Sequence, residues 1–231
     1  MKIYHYDTID STNAQAKKMI LDGIREGVLL AEHQSAGRGR LGRSFFSENG
    51  IFMSVILAPE RIPFAPGFLT GAMAAAACRA IEEQGFSAGI KWVNDIYMEG
   101  KKICGILSEA VSMGAKTLAY VVGIGINVGN VDFPDDIKDI ASFLPLEENG
   151  KEKLFFCVLK HIEQVLSENK DSILSYLKDK SIVIGKEIRF FGVKEGEGIA
   201  LGLDENGGLI VQTKENEKIV LTGGDISVRT K

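Results

Sequence analysis

The sequence predicts an α+β fold, with helices packed against a mixed, mostly antiparallel sheet and a small C-terminal β-barrel after it. Up to Ser181, stretches with helical apolar spacing alternate with strand-like stretches. Several of these strands are joined by short turns such as Glu99-Gly100, which favour antiparallel hairpins. After Ser181 only short strands recur, separated by glycine-containing turns, and this spacing is typical of a small barrel.

The chain length allows one large domain and one small domain. It has 231 residues, against a prior of about 150 residues per domain. Because the pattern changes after Ser181, we expect a first domain over residues 1–182 and a second over residues 183–231.

The strands of the first domain are predicted from short apolar or β-branched runs bounded by turn signals. Pro59 and Pro63 end one run, and Gly123 and Gly125 interrupt another. We expect strands at 2–7, 28–32, 51–57, 90–92, 95–98, 103–110 and 118–128.

Helices are predicted where apolar residues recur at helical spacing. Ser11-Thr12 is an N-cap signal for the first helix. The second covers 68–83, and its many alanines suit close packing against a sheet. The third carries a regular apolar stripe from Phe155 to Leu166, and the fourth covers about 171–180.

The remaining stretches are a long connection and the second domain. Residues 130–150 are rich in Asp, Pro and Glu, and we expect a loop there. The short strands of the barrel are expected at 187–191, 198–203, 208–213, 217–222 and 225–229.

Composition excludes several classes of protein. The net charge of −4 argues against non-specific binding to nucleic acid or a membrane surface, which depends on a basic field. The longest apolar run, Phe68 to Cys78, is shorter than the ~18 residues that indicate a membrane span. The N-terminus lacks the apolar region of a signal peptide. We therefore expect no membrane association.

Cysteine and histidine usage favours a cytoplasmic protein without a zinc motif. The three cysteines, Cys78, Cys104 and Cys157, are an odd number without a CxxC pair, which indicates reduced thiols. The three histidines lie far apart and offer no metal-ligand spacing. The sequence also contains no Ser-His-Asp, Cys-His or paired-carboxylate pattern that would predict a covalent nucleophile or a general acid–base pair.

A loop rich in glycine and arginine runs from Gly37 to Arg43 and matches the letters G-x-G-x-x-G. The dinucleotide-binding version of this motif requires a helix after it, but a strand is predicted there. The protein-kinase version requires VAIK, HRD and DFG motifs, and none occurs. The loop is therefore either a solvated hairpin or an anion site, and three arginines in an acidic chain favour the anion site.

A second motif is Lys91-Trp92-Val93-Asn94-Asp95, followed by Lys102. An asparagine here can bind an adenine or ribose edge, and an aspartate can bind Mg²⁺. Lys102 can place a charge on a carboxylate or phosphate. The alternative is an Asx-turn with exposed lysines. Trp92 is expected in the core.

Two shorter features have a structural alternative each. Gly123 and Gly125 inside a strand indicate a close backbone approach or a bulge, and the alternative is packing against the alanine-rich helix. Asn127 after them can bind a base edge. Ser11-Thr12-Asn13 caps a helix, but a helix N-terminus also presents free N–H groups to a ligand. Together the motifs describe a site that brings an adenine nucleotide and a carboxylate together.

In order and spacing these motifs resemble those of the biotin–protein ligases. The resemblance covers nearly the whole chain, and several motifs in register are far more specific than any one of them. The matching segments are D-S-T-N at 10–13, Q-S-A-G-R-G-R-L-G-R at 34–43, K-W-V-N-D-I-Y at 91–97, K-K-I-C-G-I-L at 101–107, G-I-G-I-N-V at 123–128 and T-G-G-D-I-S-V-R at 222–229.

The resemblance implies a class II synthetase-like catalytic domain, an SH3-like barrel and a two-step reaction. The biotin carboxylate attacks the α-phosphate of ATP, with Mg²⁺ on the triphosphate, to give biotinyl-5′-AMP and pyrophosphate. A lysine of a biotin carboxyl carrier protein then attacks this mixed anhydride. The first step brings two anions together, which explains a need for cations at the site.

The resemblance also implies residue roles. Arg40 and Lys102 would be catalytic, Asn94 and Asn127 would contact the nucleotide, and Asp95 would be a weaker candidate for Mg²⁺. The biotin-binding residues would be Ser11, Thr12, Asn13, Gln34, Arg38, Gly39, Arg40 and Lys102.

The sequence departs from the family pattern at three places. Val93 replaces a proline, and Ala141-Ser142-Phe143-Leu144 replaces the usual Ala-Thr-Ser-Leu, so no adenine-contacting residues are assigned there. The motif at Asp10 leaves no room ahead of it for a helix-turn-helix domain. We therefore expect a monofunctional ligase without a DNA partner. The resemblance is also compatible with a homodimer.

Two other functions compete with this one. A lipoate or octanoate ligase would share the fold, but its Arg-Arg-x-Ser-Gly-Gly-Gly-Ala block is replaced here by Gly37-Arg38-Gly39-Arg40. A non-catalytic sensor of biotin or nucleotide is the second alternative, and the intact Arg40 and Lys102 argue against it.

Overall fold

The structure is a computed structural model that describes residues 1–46, 49–191, 195–222 and 227–230. Its helices are α1 (Thr12–Leu21), α2 (Leu69–Glu83), α3 (Glu148–Ser167) and α4 (Lys170–Asp179). The strands are β1 (Ile3–Ile9), β2 (Gly27–Gln34), β3 (Gly50–Leu57), β4 (Gly89–Lys91), β5 (Asp95–Met98), β6 (Lys101–Met113), β7 (Lys116–Asn127), β8 (Glu187–Phe191), β9 (Gly196–Leu203), β10 (Leu209–Thr213), β11 (Lys218–Leu221) and β12 (Ser227–Thr230).

The first sheet has seven strands in the order β1-β2-β3-β7-β6-β5-β4. Strands β1 and β2 are parallel, and every other neighbouring pair is antiparallel. The predicted mixed, mostly antiparallel sheet is therefore confirmed. Strand β1 is joined to β2 through α1, because parallel neighbours need a crossover connection.

Helices cover both faces of this sheet. The apolar residues Ala16 and Ile20 of α1 form a small buried cluster with Val121 of β7. The neighbouring residues Val122 and Ile124 point the other way and join the main core under α2 and α3. This alternation follows from the two-residue period of a strand. As predicted, the alanines of α2 are buried.

The second sheet contains five antiparallel strands in the order β11-β10-β9-β8-β12. In the described part of the chain no pairing joins the edge strands β11 and β12, so closure into the expected barrel stays a prediction. Residues 225 and 226 of the predicted strand 225–229 lie outside the described residues. The core of this sheet is continuous with the main core, because Ile188, Phe190 and Leu203 belong to the same buried cluster as α2.

One contact ties the second sheet to the first domain. The indole Nε1 of Trp92 donates a hydrogen bond of 2.8 Å to the carbonyl of Gly207. Trp92 is 7% exposed, so its predicted place in the core is confirmed. The peptide bond between Trp92 and Val93 is cis.

Helix α3 begins earlier than predicted. It starts at Glu148, inside the stretch 130–150 that was expected to be a loop. Its N-cap residue, Glu147, makes no side-chain capping bond, and the apolar stripe begins only at Leu154. Neither a capping side chain nor the start of the apolar stripe therefore marks the true first turn of α3. Among the helices described, none combines the length and the apolar character needed to cross a membrane.

Candidate active site

A cleft of about 480 Å³ lies on the α1 side of the first sheet. Strands β6 and β7 contribute residues to it, and so do the N-terminus of α1 and the loop after β2. All the predicted site residues except Asp95 and Asn127 line it. They are Ser11, Thr12, Asn13, Gln34, Arg38, Gly39, Arg40, Asn94 and Lys102.

The N-terminus of α1 forms the first polar group of the cleft. The Ser11 hydroxyl accepts the backbone N–H of Ala14, at 3.4 Å, and caps the helix as predicted. The Oε1 atom of Gln34 accepts two bonds from Thr12, at 2.8 Å from the backbone nitrogen and 3.2 Å from the hydroxyl. The cap and the cleft therefore share the same residues, so the two interpretations of this segment are compatible.

The amide of Asn13 is held in one orientation by buried neighbours. Its Nδ2 donates to Glu109 Oε2, at 2.9 Å, and to the carbonyl of Leu107, at 3.3 Å. Its Oδ1 accepts from the hydroxyl of Ser54, at 2.6 Å. Glu109 also pairs with Lys17, at 2.6 Å. Because every polar atom of the Asn13 amide has a defined partner, its position is fixed before any ligand binds.

Sequence reasoning missed Ser54 and Glu109. Ser54 is fully buried and is the one polar side chain in the strand I-F-M-S-V-I-L. A polar residue within an apolar strand needs a partner, and that signal could have identified it. Glu109 gives no comparable signal, because acidic residues are common at exposed strand positions.

The glycine- and arginine-rich loop folds as a hairpin. Arg38 lies opposite Ser44, and backbone bonds join Gly39 to Arg43, at 2.7 Å, and Phe45 to Gly37, at 2.8 Å. Arg40 begins a 3₁₀ turn, and its Nη1 donates to Asn94 Oδ1, at 3.0 Å. The loop therefore brings Arg38 and Arg40 to the cleft.

Asn94, Asp95 and Lys102 form a connected group beside the loop. The ammonium of Lys102 lies 2.7 Å from Asp95 Oδ1, and the same oxygen accepts from Asn94 Nδ2, at 2.9 Å. Asn94 also donates to the carbonyl of Ile106, at 3.2 Å. Asp95 thus holds Lys102, while Asn94 links the group to Arg40.

Three glycines make room for the site side chains. Gly105 of β6 pairs directly with Gly125 of β7. A Cβ at Gly123 would lie 2.3 Å from Asn13 Oδ1, and a Cβ at Gly125 would lie 2.6 Å from the ring of Phe45. At Gly105 a Cβ would lie 3.0 Å from the Lys102 ammonium. The close backbone approach is confirmed, and packing of these glycines against the alanine-rich helix is wrong, because they face the cleft.

Asn127 lies outside the cleft and holds a neighbouring segment. Its Nδ2 donates to the carbonyl of Ser142, at 2.9 Å, and its carbonyl accepts from the N–H of Leu144. Lys102 pairs through its backbone with Ile140 and Ser142, each at 2.8 Å. The segment 140–144, predicted as loop, therefore runs beside Lys102.

The cleft gathers cations, whereas Cys104 of the neighbouring strand β6 lies in the main core on the opposite face of the sheet. Burial raises the pKa of the Cys104 thiol far above its usual range, so this cysteine is not a thiolate nucleophile. Arg38, Arg40 and Lys102 supply positive charge at one cleft. Such a site can bind and neutralise a carboxylate and a phosphate, and it can do so without a covalent enzyme intermediate.

Comparison with known proteins gives the family. The model of the biotin/lipoate A/B protein ligase family matches residues 6–127, and the model of the biotin protein ligase C-terminal domain matches residues 183–229. The chain is 34% identical to the bifunctional ligase/repressor BirA of Bacillus subtilis, over 94% of this chain and 70% of the relative.

Two further relatives agree. A biotin–[acetyl-CoA-carboxylase] ligase of Mycobacterium tuberculosis is 28% identical, over 94% of this chain and 85% of that protein. The solved structure of the Aquifex aeolicus biotin protein ligase with biotin and ATP aligns with a TM-score of 0.86 at 27% identity, covering 100% of this chain and 99% of that one. The chain therefore belongs to the biotin/lipoate A/B protein ligase family.

Proposed function

We propose that this chain is an ATP-dependent biotin–protein ligase. It activates biotin as biotinyl-5′-AMP and transfers the biotinyl group to a lysine of a biotin carboxyl carrier domain. The observation that carries the proposal is one cleft that combines the cations Arg40 and Lys102 with the fixed polar N-terminus of α1. Similarity to ligases over 94% of the chain supports the same function.

The biotin site uses polar groups at one part of the cleft and apolar ones at another. Ser11, Thr12, Asn13 and Gln34 offer hydrogen bonds to a small polar ring, while Phe45 and Leu107 offer apolar surface. Arg38, Gly39, Arg40 and Lys102 take the carboxylate end. Since a pocket of this kind fixes orientation with few polar groups, biotin binds with its carboxylate directed at the cations.

In the first step a carboxylate oxygen of biotin forms a bond to the α-phosphorus of ATP. The bond from that phosphorus to the bridging oxygen breaks, and pyrophosphate leaves. Arg40 and Lys102 neutralise the negative charge of both reactants and of the transition state. Asn94 holds Arg40 and Asp95 holds Lys102, so the two cations are positioned before the substrates arrive.

In the second step the ε-amine of the acceptor lysine attacks the acyl carbon of biotinyl-AMP. An amide bond forms, AMP leaves as the phosphate takes the bonding electrons, and the amine gives up a proton. Loop 37–45 covers the adenylate and excludes water. We propose a nucleotide-contact role for Asn94. For Asn127 we propose an indirect role through the segment 140–144.

Mg²⁺ enters with ATP and belongs to the substrate. Asp95, the candidate ligand, already accepts from both Lys102 and Asn94. Within the described ranges no group of three potential metal-ligand side chains includes Asp95. Asp95 therefore fits a positioning role better than a role as the ligand of a protein-held metal ion. A cytoplasmic location, a homodimer and the lack of a DNA partner stay predictions.

The test is complete transfer to a carrier domain. The chain is incubated with ATP, Mg²⁺ and biotin and a carrier domain from a biotin-dependent carboxylase, and the mass of that domain is followed. We expect one biotinyl group on the acceptor lysine and none when that lysine is replaced by arginine.

A matched pair of variants tests the assignment of Lys102. Lys102→Met removes the cation and should slow transfer by about 10²-fold or more, as for other groups that stabilise developing charge. Lys101→Met changes the adjacent lysine, which bonds the carbonyl of Lys138 instead, and should leave the rate near that of the parent. Equal rates for the two variants would remove Lys102 from the mechanism.

A further inference from the structure

A group of three potential metal ligands lies far from the cleft in the fold, between α2 and α3. Glu83 is the last residue of α2, and Cys157 and His161 lie four residues apart on α3. One turn of helix separates these two, so they share a face. The thiol, a ring nitrogen and a carboxylate oxygen all lie within 4.8 Å of one another. The two helices pack on the face of the sheet opposite α1.

The three side chains differ in exposure. Cys157 is 7% exposed and His161 is 9% exposed, whereas the Glu83 side chain is 46% exposed. The group therefore opens to solvent through the carboxylate. This arrangement gives an ion an entry route while the thiol and imidazole remain sheltered from water.

The present contacts leave part of this group unsatisfied. The Nε2 atom of His161 lies 2.9 Å from Glu83 Oε2, and the Lys160 ammonium lies 2.8 Å from both Glu83 oxygens. Cys157 makes a long contact of 3.9 Å to the carbonyl of Ala80. Among the described residues, buried His161 Nδ1 has no hydrogen-bond partner. Buried polar atoms without partners are rare in proteins and call for an explanation.

We propose that Glu83, Cys157 and His161 form a Zn²⁺ site that joins the end of α2 to the middle of α3. The ligand set selects the metal, because sulfur, nitrogen and oxygen donors together suit Zn²⁺, whereas Mg²⁺ and Ca²⁺ require oxygen donors. Donor atoms of a tetrahedral Zn²⁺ lie roughly 3.3–3.8 Å apart. Side-chain rotations that move the donor atoms by about an ångström therefore complete the geometry. Water takes the fourth position.

Binding changes two contacts. The thiol of Cys157 loses its proton to solvent, since the thiolate is the ligand. The carboxylate of Glu83 exchanges the Lys160 ammonium for the metal. Because the ligands come from two helices and the cleft lies on the other face of the sheet, this ion stabilises the packing of α2 on α3 and takes no part in the ligase reaction.

Cobalt provides a direct test, because Co²⁺ in a Zn²⁺ site with one thiolate gives a sulfur-to-metal charge-transfer absorption. The full chain, stripped with a chelator, is titrated with Co²⁺ and then with Zn²⁺. We expect one equivalent of Co²⁺ to produce the band, Zn²⁺ to abolish it, and Zn²⁺ to raise the melting temperature. Absence of the band, or a band that needs several equivalents, overturns the proposal.

Variants locate the site and control for folding. Cys157→Ser should abolish the charge-transfer band, and Glu83→Gln should lower the Zn²⁺ affinity by at least about tenfold. Cys78→Ser, at a buried cysteine outside the group, should change neither. Lys160→Gln removes the competing cation from Glu83 and should raise the affinity. A band that survives Cys157→Ser, or a Lys160→Gln variant that binds more weakly in a protein with an unchanged circular dichroism spectrum, contradicts the assignment.

Discussion

Each of the two proposed catalytic cations is held by a neighbouring side chain. Arg40 donates to Asn94, and Lys102 pairs with Asp95. The residue types were predictable from the motifs, because charged and amide side chains can be identified directly in a sequence. The pairings were not, because Arg40 and Asn94 are separated by 54 residues and their contact depends on the hairpin of loop 37–45.

Replacement of Arg40 by glycine tests the role of that loop. Arg40→Gly removes one cation and the bond to Asn94, so the adenylate should be held less firmly. We expect the fraction of biotinyl-AMP released into solution to rise several-fold, measured by filtration of the protein from the reaction. Arg43→Gly, an exposed position on the same loop, is the control. No more free adenylate from Arg40→Gly than from the parent would show that the role of Arg40 is wrong.

The glycine at position 123 provides a second test at the scale of a single residue. A Cβ there would lie 2.3 Å from Asn13 Oδ1, so Gly123→Ala must displace the Asn13 amide. Displacing a well-packed group costs about 1–3 kcal/mol, so we expect the KM for biotin to rise about 5- to 150-fold. Gly202→Ala, a strand glycine with nothing within 4 Å of its Cβ position, should leave the KM unchanged. A similar KM for both variants would contradict the proposed position of the biotin site.

Some helices and strand segments were predicted correctly from the sequence, and others were missed. The helices over 68–83 and 155–166 were predicted because apolar periodicity is strong where one face is buried. The early start of α3 and the pairing of segment 140–144 with β6 were missed, because neither has an apolar period or a capping residue. Such segments are determined by tertiary hydrogen bonds, which a local pattern does not contain.

Strand β3 carries one testable polar residue. Ser54 is fully buried and bonds Thr12 and Asn13, at 2.8 and 2.6 Å. Ser54→Ala leaves their oxygens without that hydroxyl, and an unsatisfied buried group costs about 1–3 kcal/mol. We expect a loss of this size in the free energy of unfolding, measured in urea, together with a higher KM for biotin. Ser112→Ala, at an exposed serine of β6, is the control. Unchanged stability and KM would mean that the Asn13 amide needs no support from β3.

At the scale of the whole molecule, the second sheet shares a core with the first domain. The change of pattern after Ser181 predicted its short strands, because hairpin turns are local. Its attachment was not predictable, since the bond from Trp92 to Gly207 joins residues 115 positions apart. Trp92 lies two residues before Asn94 in the chain, so the second sheet contacts the strand connection that carries a site residue.

The indole bond can be removed while an aromatic ring stays at this position. Trp92→Phe eliminates the donor to Gly207 and leaves that carbonyl without it. We expect the free energy of unfolding to fall by about 0.5–1.5 kcal/mol for the lost hydrogen bond, and more if the smaller ring leaves a void. The KM for ATP should rise more than that for biotin, because Asn94 follows Trp92 closely. If only stability changes, the second sheet has no influence on the nucleotide site.

The central claim is that this cleft joins biotin to the adenylyl group of ATP. The most direct measurement is exchange of labelled pyrophosphate into ATP, with Mg²⁺ and with biotin, lipoate, octanoate or no acid, since it needs no acceptor protein. We predict exchange that depends on biotin. Exchange with lipoate or octanoate but not with biotin would assign the chain to the lipoate branch of the family, and no exchange with any acid in a protein that still binds biotin would contradict the catalytic roles of Arg40 and Lys102.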